Sequence, residues 1–341
     1  MNRMRTSTLI FAQLTFAGIC MFCWVTVGQP SQPSAESLLP GQNLAPGLFE
    51  LHEMDMHLHA GMERPVPLQE WIDLAVADGR KVLLVLDHRE LYDSTSEEFE
   101  NWIAKNKFTK WYPAGREGKT ALMDDLESLN KRSDVIAFRG WEIWEGELDQ
   151  ALDRDAMRLA EVIGWHISPN GNPPPCGQML IKRIRQIIEV QKGFPVPMII
   201  FHPFTMRVER VQRMAKEQGK DPASLKVDDY RFFQPGEQDE VISLLRGRSV
   251  YIEISREHEG CSKDPAIREA FIADIRPLAD AGVQFTVSTD AHGLRDMKTH
   301  FGPASYCTAI GVTPRNTNTI VRELLAMRAK RSLTRSAAPP R

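Results

Sequence analysis

The sequence is poor in cysteine and has no excess of basic residues, and each shortage closes a route. Five cysteines occur among 341 residues, two of them, Cys20 and Cys23, inside an uncharged N-terminal run. The other three, Cys176, Cys261 and Cys307, are an odd number without close pairing, which argues against a disulfide framework. None of those three stands in a Cys-x-x-Cys pattern, so a thiolate zinc site is not expected. Lys and Arg total 42 against 45 Asp and Glu, a formal net charge of −3. A nucleic-acid surface would show as basic excess, so no nucleic-acid partner is expected. A small anionic substrate stays open, because a local site can be positive when the total is not. No repeat at a fixed short period is present, which argues against a solenoid.

The stretch from Leu9 to Gly28, LIFAQLTFAGICMFCWVTVG, contains no charge, follows Arg3 and Arg5, and leads into QPSQPSAESLLPGQNLAPG. A basic start, an apolar middle and a polar, Pro-rich exit read as a secretory signal over residues 1–28. A run of about 20 apolar residues is also long enough to be an uncleaved anchor. Val25-Thr26-Val27-Gly28 is a mediocre cleavage site, and Ile19 is bulky where a lipoprotein signal wants a small residue before Cys20. Export is the expectation, periplasmic or secreted, with membrane contact through this segment alone. Residues 29–48 read as a flexible linker and 328–341 as a basic disordered tail.

Between residues 49 and 327, short apolar runs alternate with helical patterns, the signature of a parallel sheet with crossover helices. The seven runs lie near 48–57, 81–87, 134–144, 160–167, 196–202, 249–255 and 283–290. Seven strands suffice for a closed α/β barrel. Three stretches break the rhythm, 91–118, 168–176 and 204–235, each after the carboxyl end of a strand, where barrels place their active-site loops.

Polar residues concentrate at those same ends. The first strand carries His57 and His59, alternate residues that share a face. Asp87-His88 follows the second strand, Glu142 lies on the third, His166 and His202 end the fourth and fifth, Glu253 lies on the sixth, and Asp290 and His292 follow the seventh. In a parallel barrel these ends converge on one mouth. Any one of them has an ordinary reading as a cap or a satisfied core residue, but burying the whole set would cost several kcal/mol per uncompensated charge. Cations repay that cost. Imidazole and carboxylate without thiolate suit Zn²⁺, Mn²⁺ or Fe²⁺ rather than Ca²⁺. The donors are too many for one tetrahedral ion, so two or three ions per chain are expected, with a bridging carboxylate. That chemistry serves phosphate-ester hydrolysis.

The motifs DMHLH (55–59), LDH (86–88), RGWE (139–142), GWH (164–166), FHP (201–203) and STDAH (288–292) together resemble the PHP (polymerase and histidinol phosphatase) family over about 240 residues. The resemblance implies a distorted (β/α)7 TIM-like barrel, a metal cluster that is commonly trinuclear, and hydrolysis of a small phosphorylated substrate by a metal-bound hydroxide. Carried over, it implies that His57 and His59 hold a first ion with Glu142 and Asp290. Glu142 would bridge to a second ion on His166 and His202, and His88 and His292 would hold a third. The family often adds a further histidine to the third ion; here the region reads AGMERPVP, with Pro65 near the place. Glu63 is the candidate substitute, and a weak or empty third site is the alternative. Asp55 and Asp87 are read as orienting the histidines. Glu142 and Asp290 are the candidate catalytic carboxylates. Arg89 is the first choice to bind phosphate, ahead of Arg207 and Arg210. Two rival readings are an amidohydrolase-type enzyme acting on C–N or C–O bonds, and a non-catalytic metal- or ligand-binding barrel.

Overall fold

In a strand buried on both faces, every residue must be apolar or internally satisfied. VLLVL of β2 (Val82–Leu86) and MIIF of β5 (Met198–Phe201) obey that rule, with every residue buried. In the computed structural model of the chain they join β1 (Met54–His59), β3 (Ile136–Ile143), β4 (Val162–His166), β6 (Val250–Ser255) and β7 (Phe285–Ser288). The structure describes residues 48–144, 157, 159–167, 175–204, 207–256, 263–297 and 304–336. The strands form one seven-stranded sheet in the order β1 to β7, and each neighbouring pair is parallel. The sheet curls until its edges meet. Between β1 and β7 a single bridge pairs Leu58 with Ala291, and the His59 N–H donates to the Ala291 carbonyl at 3.2 Å. The fold is thus a nearly closed (β/α)7 TIM-like barrel, as the apolar rhythm predicts.

The helices are α1 (Leu68–Ala77), α2 (Ser96–Asn106), α3 (Gly115–Ser128), α4 (Gly177–Gly193), α5 (Arg207–Glu217), α6 (Glu237–Leu245), α7 (Pro265–Asp280), α8 (Leu294–Met297), α9 (Ala304–Ala309) and α10 (Pro314–Ser336). None among the described residues is long and apolar enough to cross a membrane. Residues 1–47, with the signal or anchor reading, lie outside the described residues.

Three expectations need adjustment. The stretch 91–118 is helical over α2. Thr95 caps it by accepting from the Glu98 N–H at 3.2 Å, while Glu98 accepts from the Thr95 N–H at 3.1 Å, a reciprocal capping box. The stretch 204–235 contains α5, whereas 168–174 lies outside the described residues. The tail does not begin at Arg328, because α10 runs on to Ser336. Arg328 is held by two hydrogen bonds to Glu161, 2.6 and 2.7 Å, and by one to the Ala137 carbonyl, and it lies over the Phe138 ring at 4.4 Å. Upstream on α10, Asn318 accepts from the Phe49 N–H and donates to the Phe49 carbonyl, both at 2.8 Å. The helix thereby pins the chain just ahead of β1.

Candidate metal centre

Eight side chains expected at the strand ends meet at one mouth of the barrel. His57 Nε2 and His59 Nε2, both fully buried, lie 3.1 Å apart. Glu142 Oε2 is 3.1 Å from the first and 3.3 Å from the second, and Asp290 Oδ1 is 3.4 and 3.3 Å from the same two atoms. His57, His59 and Glu142 are close enough to share one ion, and Asp290 forms a second such group with His57 and His202. The other carboxylate oxygen, Glu142 Oε1, faces His166 Nδ1 at 2.9 Å and His202 Nε2 at 3.5 Å. A third set gathers round Glu63 Oε2, with His292 Nε2 at 2.9 Å, His59 Nδ1 at 3.1 Å and His88 Nε2 at 3.6 Å. Glu63 thus joins His59, His88 and His292 in a group close enough to share an ion.

Three atoms of the centre, His59 Nδ1, Glu63 Oε2 and Asp290 Oδ1, are buried without a well-aligned hydrogen bond, although each has an opposite partner at 2.9–3.4 Å. Buried polar atoms crowded together yet poorly aligned with one another are costly in a protein interior. Here they converge with nitrogen and carboxylate oxygen and no sulfur. This donor set fits divalent transition cations.

Neighbouring residues fix the rings. Glu253 accepts from His57 Nδ1–H at 2.8 Å, from the Ser288 hydroxyl at 2.6 Å and from the His202 backbone N–H at 2.8 Å. Its bond to His57 sets the tautomer that leaves Nε2 with its lone pair toward the cluster. His292 Nδ1–H donates to the Asp290 carbonyl at 2.9 Å, again freeing Nε2. The Phe201 ring stacks on His57 at 3.8 Å, and the Trp71 indole N–H donates to the His59 carbonyl at 2.8 Å. His202 and Asp290 both have φ of 55°, left-handed backbone that costs a non-glycine residue of order 1–3 kcal/mol and gathers at functional sites.

The aspartates expected to orient histidines act mainly elsewhere. Asp55 lies deeper on β1 and accepts from the Thr289 N–H at 3.0 Å and hydroxyl at 2.6 Å. It therefore supports the segment that carries Asp290 rather than an imidazole. Asp87 accepts from the Met62 and His88 N–H groups, each at 2.9 Å, and from the Tyr92 hydroxyl at 2.7 Å, with His59 Nδ1 more distant at 3.9 Å. A Cβ on Gly61 would sit 1.6 Å from Asp87 Oδ2, so the turn that delivers Glu63 requires glycine there. Arg89 is buried, with its guanidinium 3.1 Å from Asp93 one turn on, a carboxylate it shares with Lys119. The side chains of Arg207 and Arg210 lie outside the described residues.

Electrostatics follow from this crowding. Burial opposes a charge on His57, but Glu142, Asp290 and Glu253 outweigh it and push the imidazole up to about 10. Burial opposes charge on His202 as well, yet Glu253, Glu142 and Asp290 raise it to about 9. Burial would also push Glu142 and Asp290 up, but the surrounding imidazoles hold both well below the usual carboxylate range. At His88 burial prevails and the imidazole is lowered. Protonated imidazoles thus balance the carboxylates here, and binding a metal would release those protons.

Among the described residues of the centre, His292 (35% exposed), His166 (29%) and Asp290 (19%) are the ones that reach solvent most. Trp144, immediately after β3, stands beside His166. Sequence reasoning missed Trp144 altogether and noted Glu253 without giving it a role.

No protein-family model matches the chain, and no curated protein matches it. Among solved structures it is similar to a histidinol phosphate phosphatase from Lactococcus lactis subsp. lactis in complex with zinc, L-histidinol and phosphate. The two are 12% identical, with 81% of this chain and 94% of that one covered, at a TM-score of 0.42. A likeness that distant carries no argument about chemistry.

Proposed function

We propose that this protein is a metal-dependent hydrolase of small phosphate esters. The observation that carries the reading is Glu142, whose two oxygens face two separate histidine sets while Asp290 stands beside both. One carboxylate can then hold two ion positions a few ångström apart, the spacing of two-metal hydrolases. Divalent ions there would acidify a water and neutralise charge on a phosphoryl group. The chain's own residues supply the rest. Glu253 keeps the His57 proton on Nδ1, Phe201 and Trp71 keep water from the back of the centre, and His166, Asp290 and His292 face the arriving ester. The motif resemblance to the PHP family supports the same chemistry, and the uncharged run at Leu9–Gly28 supports an exported enzyme.

The test is elemental analysis of the purified full chain, with assay of the same sample on p-nitrophenyl phosphate and bis(p-nitrophenyl) phosphate. The expected result is two or three transition ions per chain and phosphoesterase activity that falls about 100-fold or more in His59→Ala and Asp290→Ala. Bound metal with amide but no phosphoester hydrolysis would move the assignment to an amidohydrolase-type enzyme. A chain that takes up no metal from supplemented medium defeats the proposal.

A further inference from the structure

Trp144 stands out among the exposed side chains. Its indole is 53% exposed, although a single exposed apolar residue needs no explanation by itself. Its neighbours set it apart. The ring lies 5.6 Å from that of His88 and 5.8 Å from that of the partly exposed His166. It is also held in place. The backbone N–H donates to Glu90 Oε1 at 2.7 Å, and the indole N–H donates to His88 Nδ1 at 2.7 Å while the ring proton of His88 is on Nε2; ligation through Nε2 would move that proton to Nδ1 and leave the backbone bond as the anchor. A large, rigid aromatic surface is therefore fixed beside the centre and left more than half uncovered.

We infer that Trp144 is a specificity-determining residue whose indole receives a planar aromatic group in the alcohol portion of the phosphate ester. The inference rests on the phosphoesterase reading. With the phosphoryl group at the cluster, an alcohol directed over the partly exposed His166 would pass the Trp144 ring, 5.8 Å from it. Aromatic rings pair favourably with centroids about 4.5–7 Å apart, which a ring one or two bonds beyond the ester oxygen can reach. A cationic alcohol also suits an indole face, but it would meet the positive charge of a metal-loaded centre.

Two esters with similar alkoxide leaving groups test it, 2-phenylethyl phosphate and butyl phosphate. The metal-loaded wild type is expected to favour the phenyl ester by about tenfold in kcat/KM, chiefly through KM. Trp144→Ala is expected to lose that preference. Trp144→Phe, which keeps a ring and drops the N–H bonded to His88, is expected to retain most of it. Saturable quenching of tryptophan fluorescence by 2-phenylethylphosphonate, weaker in Trp144→Phe, gives a readout independent of turnover. Turnover of both esters with the same ratio in wild type and Trp144→Ala overturns this inference alone. Turnover of neither by an enzyme that hydrolyses p-nitrophenyl phosphate or its bis ester overturns this inference alone, and turnover of none of the four overturns the phosphoesterase reading with it.

Discussion

At the residue scale, Glu142 and Glu253 divide the work of the centre. Glu142 faces the ion positions and Glu253 faces the ligands. Replacing Glu253 by Gln removes the negative charge beside His57 and turns one of the two accepting oxygens into a donor, opposite either His57 and Ser288 or the His202 N–H. Outer partners of this kind are worth about 10–100-fold in metal affinity, and competition with a chelator of known affinity should show a loss of that size for Glu253→Gln. Glu63→Gln should act on occupancy, because Glu63 Oε2 is the atom round which His59, His88 and His292 gather. Elemental analysis of that variant should find one ion fewer than in wild type, and an unchanged count would remove Glu63 from the ligands. The histidines were legible in the sequence because each is a polar residue closing an apolar run. Glu253 was less so, since a lone glutamate inside VYIEIS shows its purpose only once β6 lies beside His57 and His202. The charge of Arg89 was visible, and its partner Asp93, four residues on, was not weighed.

At the scale of elements, α10 shows how composition can point the wrong way. RAKRSLTRS is basic enough to read as a solvated tail, yet Arg328 lies among Glu161, Ala137 and Phe138. Breaking a buried ion pair from one side costs about 3–5 kcal/mol. A chain ending at 327 should lose stability of that order in urea, while one ending at 336 should lose little. The pair also has a pH signature. Burial pushes the Glu161 carboxyl up, but Arg328 and Arg139 outweigh burial and hold it below its ordinary value of 4.5. A depressed folded-state value means the stabilisation is present in full above about pH 4.5 and is lost as the pH falls through the lower folded value. The stability difference between wild type and Glu161→Gln should therefore stay constant near neutrality and shrink only below about pH 4.5. Helix α2 is the opposite case. Its Thr95–Glu98 capping box is written in the sequence as TSEE, a local signal passed over because the stretch around it is so polar.

At the scale of the whole molecule, the count and order of strands were readable because a parallel barrel buries its strands on both faces, so each announces itself as an apolar run between helices. How the barrel closes was not readable, since that depends on which backbone atoms of β1 and β7 come within reach. The join is thin, one bridge between Leu58 and Ala291, and the proposed ion positions straddle it, with His57 and His59 on one side and Asp290 and His292 on the other. A ligand bound only by the folded chain raises stability by RT ln(1 + [L]/Kd), so melting temperature should climb with free zinc concentration and fall on chelation. The gain should not be spread evenly. Chelation should speed amide hydrogen exchange first at Leu58, His59 and Ala291, and leave β3, β4 and β5 protected for longer. Met62–Val66, the loop that carries Glu63, and the turn at Asp290 would then gain freedom together. In mechanical terms the barrel is a split ring for which a metal bound at the proposed centre would be the clasp. A protease added to the chelated protein should make its early cuts beside that split, and the same protease should find no such opening when zinc is restored.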